Sequence, residues 1–464
     1  MNAATELAKI LGPGAVSTDP SDLNGHAGDS SAGALIARRR GLGTTLPSCV
    51  VRPTRTEEVV EVLSWADRTR TPVVCFGGGS GVCRAVAPDG GIALDMRGMG
   101  EILDVDEKSR VVTVQAGVGG GDLAAALAGR GFLMGHQPQS MSISTVGGWI
   151  ATKACGQLSA RYGGIENILA GLEAVLPGGR VVKSKVAPRR STGPDVGLLM
   201  VGSEGALGVV TQATLRIHPV PEERADLCVG FDHMSDAVAA CRSVAQSDLS
   251  PTVVRLYDPE DALIFFRNVR DGASPVLLLV SFEGRDAAGR ARDASTLLTA
   301  GVQQDAALVA HWWDHRNDAV EEYLRLMAGE GALGRHAAID TMEVAAPWSS
   351  LRDLYHGMKE ALSPLADIVG CHLSHIYPDG ACLYFTLAKA CSNDDDARAA
   401  DERWWEVGMR TCLASGGTIS HHHGIGRLKA RWLAEELGGW LDVLRGVKAV
   451  VDPNGIMNPG ALGL

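Results

Sequence analysis

"PVVCFGGGSG", residues 72–81, is a short β run that breaks into three consecutive glycines, and its reading decides how the chain is built. A glycine loop at a strand end exposes successive backbone N–H groups, which can hold the oxygens of a diphosphate. The spacing is not G-x-G-x-x-G, so a Rossmann nicotinamide site is not supported. Taken alone, the loop is equally the pattern of a plain strand-to-helix turn. Upstream, Thr56 is placed to cap a helix whose first turn holds Glu57 and Glu58 and whose apolar face is Val59, Val60, Leu63 and Ala66. Downstream, "GIALDM", "EILDVDEKSRVVTVQAG" and "DLAAALAGRGF" read as strand, hairpin and helix. Two more small-residue segments follow, "HQPQSMSISTVGGWIATKACGQLSARYG" (136–163) and "STGPDVGLLMVGSEGALGVVTQATLRI" (191–217). Three such loops in one region can wrap a long polar cofactor from several sides.

Composition narrows the function. At 464 residues the chain is long for one core and suggests two or three units. Fifty-seven glycines point to tight turns and backbone-lined ligand sites. The net charge is −11 and no basic cluster exceeds "ARRRG" (37–41), which argues against a nucleic-acid partner. None of the ten cysteines forms a CxxC pair, so neither a zinc ribbon nor a thioredoxin-type motif is indicated. Scattered cysteines fit reduced thiols and a cytoplasmic location. The N-terminus does not read as a secretory signal, and "GALGL" is no peroxisomal address. There is no run of about 18 apolar residues, hence no expected membrane span. Peripheral membrane contact and homodimerisation stay open.

Texture divides the chain. Residues 1–45 read as a short helix and a polar lead-in, and 46–221 as a glycine-rich α/β unit closed by Pro219 and Pro221. Residues 222–410 alternate helices and strands with few glycine turns, two Trp-Trp pairs and an acidic loop, "SNDDDAR". Residues 411–464 return to the first texture, and their tail "DPNGIMNPGALGL" is expected to lie on another surface.

"GGGSG", "STVGGW", "GSEGALGVVTQATLRI" and "DPNGIMNPG" together resemble the FAD-binding oxidoreductases of the vanillyl-alcohol oxidase (PCMH) type, over nearly the whole chain. The resemblance implies an α+β fold, with a two-part FAD-binding domain (46–221 and 411–464) and an inserted cap or substrate domain (222–410). It implies FAD as cofactor, with the diphosphate on Gly77, Gly78, Gly79, Ser80 and Gly81. The remainder of FAD falls to Pro138, Ser142, Ser144, Thr145, Gly147, Gly148, Thr152, Glu204, Gly205, Gly208 and Val210. Many relatives attach FAD through a histidine beside the first loop. Here "GGGSGVCRAV" has none, so the flavin is expected to be non-covalent.

"HQPQSMSISTVGGWIATKACG", "PRRSTGPD", "VVRLYD", "DGACLYFT" and "SHHHGIGRLK" resemble the alkyl-dihydroxyacetonephosphate synthase branch of that family. The resemblance implies Tyr384 in proton transfer, with His421, His422, His423 and Arg255 also needed for activity. Arg316, in "HWWDHRND", is the expected holder of a substrate phosphate. The residues are compatible with this. Tyr384 lies in a strand-like run, and a tyrosine with an ordinary pKa near 10 needs nearby positive charge to accept a proton. "TISHHHG" reads as extended, which places His421 and His423 on one face and His422 on the other. Three adjacent histidines also raise the question of a metal, with His372 or His375 completing the set. D-2-hydroxy-acid (lactate/glycolate-type) dehydrogenases of this fold carry "GDGNLH" and "EHG" metal motifs. The corresponding stretches here are "PDGACLYF" and "HHHG", so no metal is expected and that activity is the alternative. A non-catalytic flavin- or lipid-binding protein is a second alternative, which the retained Tyr384, Arg255 and histidines oppose.

Overall fold

The computed structural model describes residues 2–41, 46–269, 274–330 and 333–464. Its architecture is α+β, built on three sheets that matter for the site. The first has four strands in the order Val16–Ser17, Cys49–Val51, Ile92–Asp95, Val73–Phe76, the last three parallel. The helix Thr56–Thr69 covers it with Val59, Val62, Leu63, Trp65 and Ala66 buried. Val60 is only half-buried, and Val62 and Trp65 take the place that the sequence pattern assigned to it. Thr56 does not cap the helix. Arg55 holds that position, and the Thr56 hydroxyl donates to Glu173 Oε1 at 2.8 Å.

The second sheet is antiparallel and runs Ile102–Asp106, Val111–Gln115, Val209–Arg216, Leu169–Leu176, Arg180–Lys183. The chain then enters a seven-stranded antiparallel sheet. Its order is Val302–Gln303, Arg224–Phe231, Val276–Glu283, Val253–Tyr257, Ile368–Ile376, Gly380–Lys389, Ala338–Pro347. Strand alternation gives this sheet two different faces. Met342, Val344, Leu373, Leu383 and Phe385 join one core with residues of the helices Trp348–Leu362 and Asp394–Ala414. Cutting Phe385 to alanine there would cost about 3–5 kcal/mol. The intervening residues Thr341, Glu343, His372, Ser374, Cys382 and Tyr384 form the polar opposite face.

"SNDDDAR" is not a loop. Asn393 caps the helix Asp394–Ala414 by accepting from Asp396 N–H at 2.9 Å, and the three aspartates of the first turn suit the helix dipole. The lead-in is also more structured than its composition suggests, with helices Ala3–Leu11, Pro20–Gly25 and Ala32–Arg39. Residues 42–45 of it lie outside the described residues. The tail pairs with the first sheet: Val73 N–H donates to the Ile456 carbonyl at 2.8 Å and Asn458 N–H to the Val73 carbonyl at 2.9 Å. Among the described residues no helix is long and apolar enough to cross a membrane.

Candidate active site

The strand Val73–Phe76 ends in the glycine loop, and the loop presses against residues 143–145. A Cβ on Gly78 would overlap the Ile143 carbonyl, and one on Gly77 would lie 2.5 Å from Thr145 Oγ1. Gly79 has φ +67°. Only glycine meets both demands, close approach and left-handed backbone. Ser30 supports the loop from outside, its hydroxyl donating to the Gly79 carbonyl at 2.9 Å and its N–H to the Gly81 carbonyl at 2.8 Å.

A cavity of about 860 Å³ opens over this loop. Its wall includes Gly77 to Gly81, Pro138, Ser144, Thr145, Gly147, Gly148, Thr152, Glu204, Gly205, Gly208 and Val210. The size lies toward the upper end of the roughly 300–1,000 Å³ of small-molecule sites, and side-chain-free glycines are prominent in its wall, so the residues fit a dinucleotide cofactor such as FAD. Ser142, expected in this set, is exposed and does not line the cavity. Asp29, Ser30, Cys75 and Asn458 line it without having been singled out from sequence. The Asn458 amide donates to the Glu204 carbonyl at 2.7 Å and the Ala85 carbonyl at 3.0 Å, tying the tail to two cofactor loops. The Glu204 carboxylate accepts from Ile425 N–H at 2.6 Å and Gly426 N–H at 2.7 Å. Burial outweighs these bonds and pushes its carboxyl up to about 7.

The polar face of the seven-stranded sheet closes the same cavity. Glu343, Tyr384 and His372 are register partners on three neighbouring strands and form one row. The His372 ring stacks on Tyr384. Arg255 donates to His372 Nε2 at 2.7 Å, and His372 Nδ1 bonds Asp261 Oδ2 at 2.6 Å. This relay sets the tautomer: Nε2 accepts from the guanidinium, so Nδ1 carries the proton. Burial, with Arg255 beside it, holds His372 below the usual imidazole range. Burial also pushes the Tyr384 phenol above its usual value, with Asp340, Glu343 and Asp261 adding to the effect against a Thr341 hydrogen bond. Tyr384 therefore stays protonated at neutral pH.

The triple histidine is not extended. Residues 419–423 bend, and the backbone N–H groups of His421, His422 and His423 all donate to the Glu343 carboxylate. The expected division into two faces is thus wrong, because the backbone turns around a buried anion that sequence alternation cannot show. His422 and His423 line the cavity and lie 6.0 and 5.5 Å from the Tyr384 ring. His421 does not line it and stacks on His375, with centroids 4.9 Å apart. Burial lowers all three imidazoles, His423 to about 4.

Arg316 does not reach the cavity. It lies over Trp313 at 4.8 Å and donates to the Trp313 carbonyl, a packing role. His375, also in the wall, has φ +51° and bonds Ser159 through Nδ1 at 2.7 Å. Donor atoms of Cys155, His375 and His421, and of Cys382, His421 and His422, gather within 4.8 Å of one another. Several of these lone pairs are engaged: His421 Nδ1 faces His422 Nδ1 at 3.1 Å, and Ser159 takes His375 Nδ1. The lining also includes Ile264, Phe265, Val320, Leu324, Leu326 and Ile339, interspersed with Arg267, Asn268, His311, His315, Asp318 and Glu322.

A glycine cradle facing a titratable, largely dry sheet face defines a cofactor-dependent enzyme. The FAD binding domain family matches residues 47–185, and the family of FAD linked oxidases, C-terminal domain, matches residues 220–462. The chain belongs to the FAD-linked oxidoreductases, with a PCMH-type FAD-binding fold and FAD as cofactor. It is 30% identical to the uncharacterized FAD-linked oxidoreductase YgcU of Escherichia coli, over 98% of this chain and 97% of that one. It is 29% identical to the alkyldihydroxyacetonephosphate synthase of Trypanosoma brucei brucei, over 98% of this chain and 80% of that one. The glycolate oxidase subunit GlcD of Bacillus subtilis is 28% identical over 94% and 93% of the two chains. Among solved structures, an alkyldihydroxyacetonephosphate synthase superposes with TM-score 0.80 at 25% identity, covering 98% of this chain and 84% of that one. A p-cresol methylhydroxylase superposes with TM-score 0.77 at 16% identity, covering 100% and 96%, a likeness of fold.

Proposed function

We propose that the protein acts on a hydroxylated, lipid-like substrate with chemistry akin to that of its alkyldihydroxyacetonephosphate synthase relatives. The observation that carries this reading is the continuity of one cavity, from the glycine cradle past Tyr384, His372 and His422 to a lining that mixes apolar side chains such as Phe265 and Leu324 with charged ones such as Arg267 and Glu322. Apolar and charged side chains in one cavity suit an amphiphile with a polar head.

When bound in the cradle, FAD supplies an electrophilic flavin N5 that can accept a hydride or a carbon nucleophile. The chain's own residues handle protons and charge. Tyr384, protonated, donates a hydrogen bond or a proton to a substrate oxygen. His422 and His423, neutral because they are buried, can receive a proton from substrate. Arg255, through His372, stabilises negative charge that develops beside Tyr384.

The similarity to the glycolate oxidase subunit favours a second reading, oxidation of a D-2-hydroxy acid. Anaerobic mixing of FAD-loaded protein with acyl-dihydroxyacetone phosphate, glycolate and lactate separates the two. A flavin spectrum perturbed or bleached by the first alone supports the proposal. Bleaching by glycolate or lactate alone replaces it with the second, and no response to any of the three overturns both.

A further inference from the structure

The Glu343–Lys429 pair lies under the triple histidine, and both side chains are fully buried. Glu343 accepts from Lys429 Nζ at 2.8 Å, from the Ser420 hydroxyl at 2.8 Å, and from the backbone N–H groups of His421, His422 (3.3 Å) and His423 (3.1 Å). Three successive N–H groups around one anion form a nest. Burial alone would raise the carboxyl, but the Lys429 ammonium beside it pulls it well below the usual carboxylate range. Its charge is 3.9 Å from Nδ1 of His422 and 3.9 Å from Nδ1 of His423, too far for a direct hydrogen bond and near enough to act on either ring. His423 Nδ1 has no other partner among the described residues. Other charged or titratable groups around the loop include Lys153, His375, Tyr377, Cys382 and Tyr384 on the ring side, and Cys83, Glu204 and Glu436 against its backbone.

We propose that Glu343 is the positioning residue of the triple-histidine loop. Its carboxylate folds the backbone of residues 421–423 so that the His422 and His423 rings face the cavity, and it balances a proton arriving on either ring. The charge-balancing role rests on the functional reading above, whereas the positioning itself does not. Three side-by-side histidines in the sequence are then a backbone device as much as a set of rings.

Glu343→Gln alone strands Lys429 in the core without its counter-charge, so the decisive variant is Glu343→Gln/Lys429→Met. FAD-loaded protein labelled with ¹⁵N in the histidine rings would be compared with this variant, with His422→Gln and His423→Gln used to assign signals. In the wild type each ring is expected to show a single fixed tautomer. In the double variant, with FAD content and Tm retained, the two rings are expected to average between tautomers. Unchanged ring signals in the folded double variant would overturn the proposal. Amide exchange on the wild type alone provides a second test: N–H groups of residues 421–423 that exchange as fast as an open loop also overturn it. With any probe that bleaches the flavin, the double variant should reduce it about tenfold or more slowly at unchanged KM. If no probe bleaches it, the functional reading fails while the ring signals still decide the role of Glu343.

Discussion

The His372 imidazole lies flat against the Tyr384 phenol, with centroids 4.8 Å apart and planes 17° apart. Through its two ring nitrogens, His372 is held between Arg255 and Asp261. Tyr384→Phe keeps the stack and removes the proton. It is expected to leave FAD bound and to lower the rate of flavin reduction about a hundredfold or more. Stopped-flow reduction of the variant checks this, and a rate within threefold or so of wild type would assign Tyr384 to packing.

Replacing the histidines one at a time by alanine should separate them. His422 and His423 face the cavity, and each is expected to cost about a hundredfold in rate. His421, stacked on His375 outside the lining, is expected to cost clearly less. All three variants should keep FAD, because the cradle is built from other segments. Flavin content and single-turnover reduction are the measurements.

The flavin is expected to be released on denaturation. No histidine flanks the glycine loop in sequence, and burial pushes the nearby thiols up, Cys75 to about 12 and Cys155 to about 11, away from the reactive thiolate. Acid precipitation should leave the yellow colour in the supernatant. Colour retained in the washed pellet would show a covalent bond.

Turnover is expected to survive EDTA. "PDGACLYF" lacks the histidine and "HHHG" the glutamate of the hydroxy-acid dehydrogenase metal motifs. Activity lost on chelation and restored by zinc or manganese would favour the hydroxy-acid reading.

Glu204 makes stability depend on pH in a set direction. Burial raises its folded-state pKa from 4.5 to about 7, so the folded FAD-free protein binds a proton there more tightly than the unfolded chain does. The resulting stabilisation is complete below about pH 4.5 and is lost as the pH rises through about 7. Glu204→Gln cannot lose that proton. Between about pH 5 and pH 8 the wild type should lose about 1–3 kcal/mol relative to the variant, read as Tm of the two apo-proteins. Parallel Tm curves would contradict this.

Much of the site was legible because it is local. The glycine loop, the small residues around Thr145 and the segment 204–210 each carry their conformational demand within a few residues. Tyr384 was placed on a strand for the same reason. The remainder depends on partners distant in sequence. Nothing in "TISHHHG" announces Glu343, so alternation was applied to a backbone that a buried carboxylate bends. His372 looks like one more strand residue until Arg255 and Asp261 reach it. Arg316 carries the charge that a phosphate would need, yet two adjacent tryptophans, whose orientation no sequence pattern gives, hold it elsewhere. Thr56 fits a capping pattern, yet its hydroxyl is claimed by Glu173 from another sheet.

Residues 456–458 complete the edge of the strand whose end is the glycine loop. During synthesis that edge waits, unpaired, while the whole seven-stranded sheet emerges from the ribosome. The residues that form the cradle and those that lock its strand edge thus lie far apart in the sequence. A nascent chain stalled before Ile456 would carry every glycine of the cradle with an open strand edge, a form recognised by chaperones and prone to pairing with its neighbours on a polysome.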